Sequence, residues 1–250
     1  MMPTIEEYNR YGEELEKLLM LRTSPIAVKM LKSEDEIPEG AIRPKRDRGY
    51  HLAQCQVFAM NRRRGETIAM LKEDQWCWAP LMGYGLVEDP QDDFVNSHAF
   101  FPRFEEGKYI GTVSAPLKNA GFEPDMVLIY CNTAQLRNLV SAVKMRDREL
   151  VRSEFYPIDS CVYSVVPVIE KGEYRITIPD PGEYERAMAG EDEMIFSVPT
   201  GKLAGLVETL GEADKMKAGY KNQTHVLTPD FPRPPFYIDL FKKWGLDTEE

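Results

Sequence analysis

Residues 126 to 131, Met-Val-Leu-Ile-Tyr-Cys, are apolar without a break, and no polar alternation marks a solvent-facing side. A strand that is apolar on both faces belongs in the interior of a sheet, covered on each side by other elements. The next residues, Asn132 and Thr133, are helix N-cap types, and Leu136, Leu139, Val140 and Val143 follow at helical spacing. A buried central strand leading into an amphipathic helix therefore anchors the expected fold.

Other elements are placed around that unit by local signals. Thr4-Ile5-Glu6-Glu7 has the form of a capping box, and Ile5, Tyr8, Leu15, Leu18 and Leu19 predict a helix to about Leu21. Strands are predicted at 26–31, 67–71, 174–178 and 194–198, and helices at about 50–64, ending at Gly65, and from Leu203 to Gly211. Asp74 is a candidate cap for a helix carrying Trp76, Cys77 and Trp78, and Asp159-Ser160 for one carrying Cys161. Strands and helices alternate without a strict βαβ rhythm, so the fold class is α/β in the α+β sense, a mixed sheet packed with helices. One domain is expected over residues 1–211. Residues 212–250 form a separate segment, in which Pro229, Pro232, Pro234 and Pro235 make a stiff arm and Tyr237, Leu240, Phe241 and Trp244 an aromatic stripe on a docking helix. That stripe should be buried, and docking on a second copy would make a homodimer.

Charge and composition narrow the function classes. With 31 basic against 41 acidic residues the net charge is −10, which gives no general attraction for nucleic acid. The one dense basic cluster, Arg62-Arg63-Arg64, falls where a helix should end and suits the negative end of its dipole. No apolar run reaches bilayer length, and the N-terminal residues lack a secretory pattern, so a cytoplasmic location with reduced thiols is expected. Glycosylation at Asn222 is empty in that setting. Gly83-Tyr84-Gly85 lacks the third glycine and preceding strand of a dinucleotide site, and HExxH, Walker and Gly-x-Ser-x-Gly patterns are absent.

The four cysteines are the main lead. Cys55, Cys77, Cys131 and Cys161 each fall at an expected element boundary, where side chains converge on ligands and a helix N-terminus favours thiolate. Four thiolates are a ligand set for zinc or for an iron–sulfur cluster, although the usual close C-x-x-C pairs are missing. His51 would lie one helical turn before Cys55 and join it on one face. Trp76 and Trp78 flank Cys77 and would exclude water or stack on a flat cofactor, while Gln135 and Arg137 lie just beyond Cys131 at a strand's carboxyl end. Each feature has a plainer reading: free cysteines are often small core residues, and tryptophans are usually packing anchors. His98 and His225 sit in loop-like sequence with no carboxylate pattern.

Gln54-Cys55-Gln56 leading to Arg62-Arg63-Arg64-Gly65, Cys77 before Gly83-Tyr84-Gly85-Leu86, Val127 to Gln135 with its Tyr-Cys-Asn-x-x-Gln block, and Asp192-Glu193-Met194 with Ser197-Val198-Pro199 resemble domain-of-unknown-function family 169. The resemblance runs from about Leu15 to Gly211 and implies an ancient cytoplasmic protein common in anaerobes, with no substrate attached. It points to Cys55, Cys77, Cys131 and Cys161 as the positions of interest. Relatives place a further cysteine near Ile178 to Gly182, where this chain has Asp180, a harder ligand than thiolate.

The leading expectation is thus a metal- or iron–sulfur-binding protein with four converging cysteines, working with a redox partner protein. Two alternatives stay open. One is a thiol-dependent enzyme or small-molecule binder using Cys131 or Cys161, the other a non-catalytic assembly protein whose cysteines are structural.

Overall fold

The computed structural model describes residues 3–88, 101–223 and 233–246. Six strands form one sheet: β1 (Ile26–Leu31), β2 (Ile68–Leu71), β3 (Gly111–Pro116), β4 (Met126–Cys131), β5 (Arg175–Thr177) and β6 (Met194–Pro199), in the order β2-β3-β1-β4-β6-β5. Every neighbouring pair is antiparallel, and parallel pairing is confined to two isolated bridges, Ile42 with Ile68 and Leu52 with Gln75. The α+β class is therefore as expected, with antiparallel ladders where a mixed sheet was anticipated. β3 carries no strong strand signal, yet it lies between β1 and β2.

β4 occupies the interior position its sequence predicts, paired with β1 and β6 and buried at all six residues. Helices cover both faces. On one face α1 (Ile5–Leu19), α5 (Thr133–Asp147) and α9 (Thr200–Lys215) bring Leu15, Leu139, Val143, Leu203 and Leu206 onto Val127 and Ile129. On the other, α3 (Gln54–Arg64), α4 (Trp78–Gly83), α6 (Ser160–Tyr163) and α7 (Val166–Lys171) bring Phe58, Met82, Val162 and Val168 onto Met126, Leu128 and Tyr130. Burial of this kind contributes roughly 25 cal/mol per Å² of apolar surface, so the two-sided cover explains the lack of alternation in β4.

Local signals are honoured at several ends. Thr4 and Glu7 form the capping box, with the Glu7 amide donating to Thr4 Oγ1 at 3.3 Å and the Thr4 amide to Glu7 Oε2 at 2.8 Å. Asn132 and Gln135 form a second one at the start of α5. Gly65 closes α3 at φ +76°, a backbone state open to glycine without strain. Elsewhere tertiary structure moved the boundaries. Tyr50 and His51 lie before α3, because Leu52 is pulled into the bridge with Gln75. Asp74 caps no helix through Trp76: it is wholly buried and accepts hydrogen bonds from Arg43 Nε at 2.6 Å, from the Leu71 amide and from the amide of Lys45 in α2 (Pro44–Arg48). The helix expected to stop at Gly211 continues to Lys215.

The C-terminal helix, α10 (Pro235–Trp244), differs from expectation. None of its residues is buried in this chain: Tyr237 and Trp244 are 44% and 61% exposed, and Leu240 and Phe241 are half-buried. Among the described residues the ring contacts of the stripe are local, between Phe236 and Tyr237, between Phe241 and Trp244, and from Arg233 onto Phe241. Pro229 and Pro232, assigned to the stiff arm, lie outside the described residues, as do His98 and His225.

Candidate functional site

Three of the four cysteines share one buried place. Cys55 lies in the first turn of α3, Cys77 is the residue before α4, and Cys161 lies in α6. Cys77 packs against the small cluster of Cys55 and Ala187 and against the larger layer that holds Cys161, and burial, then Cys55, Cys77, Asp180 and Glu183, push the Cys161 thiol upward. Cys55 and Cys161 are buried and Cys77 is half-buried.

Two close approaches hold these segments together. A Cβ at Gly83 would stand 2.5 Å from Val162 Cγ1, so α4 and α6 meet at a distance only glycine permits. Tyr84, wholly buried, then donates its hydroxyl to the Cys161 carbonyl at 2.8 Å. Gly83 and Tyr84 are thus positioning residues, which explains the Gly-Tyr-Gly sequence without a phosphate.

The acids come from α8 (Pro181–Arg186). Asp180 caps this helix, its Oδ1 accepting the Glu183 amide at 2.9 Å, while its Oδ2 accepts the Ser160 amide at 2.9 Å. Glu183 is buried and accepts hydrogen bonds from Tyr130 at 2.8 Å and from Ser160 Oγ at 2.7 Å. Ser160 Oγ also lies 3.1 Å from Asp180 Oδ2, so one hydroxyl proton serves two carboxylates. Burial, opposed by the Ser160 and Tyr130 hydrogen bonds and assisted by the Asp180 charge, raises the Glu183 carboxyl to about 7. Arg62, its guanidinium carbon 4.0 Å from the Tyr130 ring centroid, is buried and paired with Glu193 at 3.0 Å. The first arginine of the basic cluster is therefore a core ion pair rather than a solvated helix end.

One cation reaches the thiols. Burial lowers the Arg186 guanidinium, but its hydrogen bond to Cys55 and the charges of Cys55 and Cys77 outweigh that, and the net shift is upward. Burial pushes the Cys55 thiol up to about 12, with Glu183 adding to it and Arg186 opposing it. Cys77 is also raised, first by burial. The Arg186 guanidinium occupies the place where a Cβ on Gly182 would fall, and it lies 5.1 Å from the Trp76 ring centroid. Trp76 is half exposed and donates Nε1 to Gln56 Oε1 at 3.3 Å, while Trp78 packs on Phe101 at 5.5 Å between ring centroids. The two indoles therefore take separate places, Trp76 under Arg186 and Trp78 against the apolar layer beneath.

The remaining predicted site residues lie elsewhere. Cys131 packs with Val127, Ile129 and the α1–α5–α9 layer, and burial, then Glu193, raises its thiol to about 12. The cause is the pleat: successive strand residues point to opposite faces, and Tyr130 takes the side that faces the thiols. His51 is exposed and precedes α3, so it does not share a helix face with Cys55. Gln135 completes the α5 cap and donates Nε2 to the Leu19 and Met20 carbonyls at 2.9 and 3.2 Å, tying α5 to the end of α1. Arg137 hydrogen-bonds Gln223 at the surface. Sequence reasoning missed Tyr130, Gly83, Glu183 and Arg186 as site residues. The Asp180-Pro181 start announces a helix there, but nothing local announces what it faces.

A cluster's fit rests on the donor set. Three soft thiols meet the Arg186 guanidinium, while the buried Glu183 carboxyl also feels the charge of Arg62 across Tyr130. Among the described residues, no group of three His, Cys, Asp or Glu side chains is placed to hold a metal ion. A single tetrahedral zinc is thus not prearranged, whereas an iron–sulfur cluster spreads its thiolates over several iron atoms. No helix among the described residues is long and apolar enough to cross a membrane.

Comparison with known proteins agrees with a family lacking an assigned activity. The chain is 23% identical over 225 residues to "Uncharacterized protein MJ0308" of Methanocaldococcus jannaschii, covering 82% of this chain and 94% of that relative. No solved structure matches it. The model of the DUF169 family, described as uncharacterised ArCR, matches residues 14–209, and the chain belongs to that family.

Proposed function

We propose that Cys55, Cys77 and Cys161 bind a metal centre, an iron–sulfur cluster with zinc as the alternative, and that the protein exchanges electrons with a redox partner protein. The observation that carries this reading is the packing of Cys77 against Cys55 on one side and against the layer of Cys161 on the other, three thiols from three chain segments with Arg186 beside them. Burial alone keeps thiols protonated, and a bound metal supplies the positive charge that makes thiolates of them. An iron–sulfur cluster held there supplies one-electron chemistry. The chain's own residues do the rest: Arg186 offsets thiolate charge, Trp76 and Trp78 limit water access, and Glu183 holds a proton near the site. Asp180 already serves Ser160 and the α8 N-terminus with both oxygens, so the thiols are the donor set.

The test is anaerobic purification and reconstitution, followed by iron, sulfide and zinc analysis and a visible spectrum. The wild-type chain and Cys131→Ser should hold metal, and Cys55→Ser, Cys77→Ser and Cys161→Ser should lose it. A wild-type chain that holds neither iron nor zinc would sink the reading.

An activated-thiol enzyme draws less support, since burial raises all four thiols. A second reading has its own observation. The exposed Phe236, Tyr237 and Trp244 of α10 suit a protein partner, and a second copy docking there is the homodimer we propose as the case to test on a sizing column.

A further inference from the structure

Beside the thiol site lies a cavity of about 220 Å³ walled by Arg63, Arg64, Arg186, Tyr50, Met60 and Met188. Three walls are arginines, and no carboxylate lines it. In a chain of net charge −10 that is an uncommon concentration of one sign. Arg63 and Arg64 make no salt bridge among the described residues. Arg63 spends one nitrogen on the Met188 carbonyl at 2.6 Å, and burial and the neighbouring Arg62 lower its guanidinium. Arg186 pairs only loosely, at 3.5 Å, with the exposed Glu185. The end of α3 favours cations, but it explains two of the three, since Arg186 arrives from α8.

Guanidinium groups are planar forks that bind carboxylate or phosphate with two parallel hydrogen bonds. Tyr50, Leu52, Met60 and Met188 supply apolar wall for the rest of a small molecule. We propose that this cavity binds a small organic anion, a phosphate monoester or carboxylate, with Arg63, Arg64 and Arg186 as its cationic wall. Through Arg186, whose charge opposes the rise of the Cys55 and Cys77 thiols, the anion sits next to the thiols. Its adjacency to a metal centre rests on the reading above; the anion site itself does not.

Binding of inorganic phosphate, phenyl phosphate and succinate to the full-length chain is measured by calorimetry at constant ionic strength, with chloride as the control. Saturable binding of at least one is expected, weakened about tenfold or more by Arg63→Ala with Arg64→Ala, the loss expected for a charge-assisted hydrogen bond. Both positions are exposed, so the variant should keep its fold, which circular dichroism checks. Tighter phenyl phosphate than phosphate assigns the ligand an apolar body, and succinate alone assigns the carboxylate class. Absence of saturable binding overturns the proposal. So does equal binding by the double variant, which would move the anion to another cation-bearing cavity, such as those around Arg152, Lys171 and Arg175 or Arg148 and Lys202. A chain that binds the anion but holds neither iron nor zinc after anaerobic reconstitution leaves this inference standing and sinks the metal reading, and a metal-loaded chain that binds no anion does the reverse.

Discussion

Glu183→Gln tests the buried acid at the centre of the site. Glu183 rises from an ordinary 4.5 to about 7 in the folded chain, which at about 1.36 kcal/mol per unit is roughly 3 kcal/mol of pH-dependent stability. The sign follows from proton binding. Between about 4.5 and 7 the folded chain holds a proton that the unfolded chain has released. Stability from this group is therefore fully present below about pH 4.5 and lost as the pH rises through about 7. Glutamine keeps the shape, accepts the Ser160 hydroxyl through Oε1, donates Nε2 to the Tyr130 oxygen, and cannot ionise. In urea titrations of the metal-free chain from acidic to mildly alkaline pH, wild type should weaken by about 3 kcal/mol relative to the variant, with the curves converging toward acid. Asp125, another carboxyl raised by burial, titrates in both chains, so the difference between the curves isolates Glu183. Parallel curves would refute the reasoning, because they would mean that Glu183 is solvated or that Arg62 holds it ionised.

Gly83→Ala should cost about 1–3 kcal/mol by overpacking against Val162, read as a lower urea midpoint, and should lower metal loading by separating Cys77 from Cys161. Asp74→Asn removes the buried partner of Arg43 and leaves it the exposed Glu73, so it should cost about 1.5–3 kcal/mol in the same assay, with metal loading retained in the molecules that fold. Removing residues 229–250 should leave the midpoint of the remaining domain within error, since α10 buries no side chain in this chain. If α10 joins two copies, the truncated chain elutes later than wild type, and unchanged elution removes that role.

Elements whose signals are local could be read from the chain alone. β4 follows from an unbroken apolar run, the starts of α1 and α5 from Thr4 with Glu7 and Asn132 with Gln135, and the end of α3 from Gly65. Each depends on residues within a few positions of one another, so no knowledge of partners is needed. β3 was not legible, because Gly-Thr-Val-Ser-Ala-Pro has little strand character and gains its place from pairing with β1 and β2. The site shows the same division more sharply. Boundary positions for the cysteines could be read from the chain, but not which of them meet. β4 is apolar on both faces, so its pattern holds no record of which helical layer each residue faces. Only the helices laid on each side of the sheet decided that Tyr130 faces the thiols while Cys131 points away. Glu183 and Arg186 reached Cys55 by the same route, through contacts between segments far apart in the chain that no local spacing encodes.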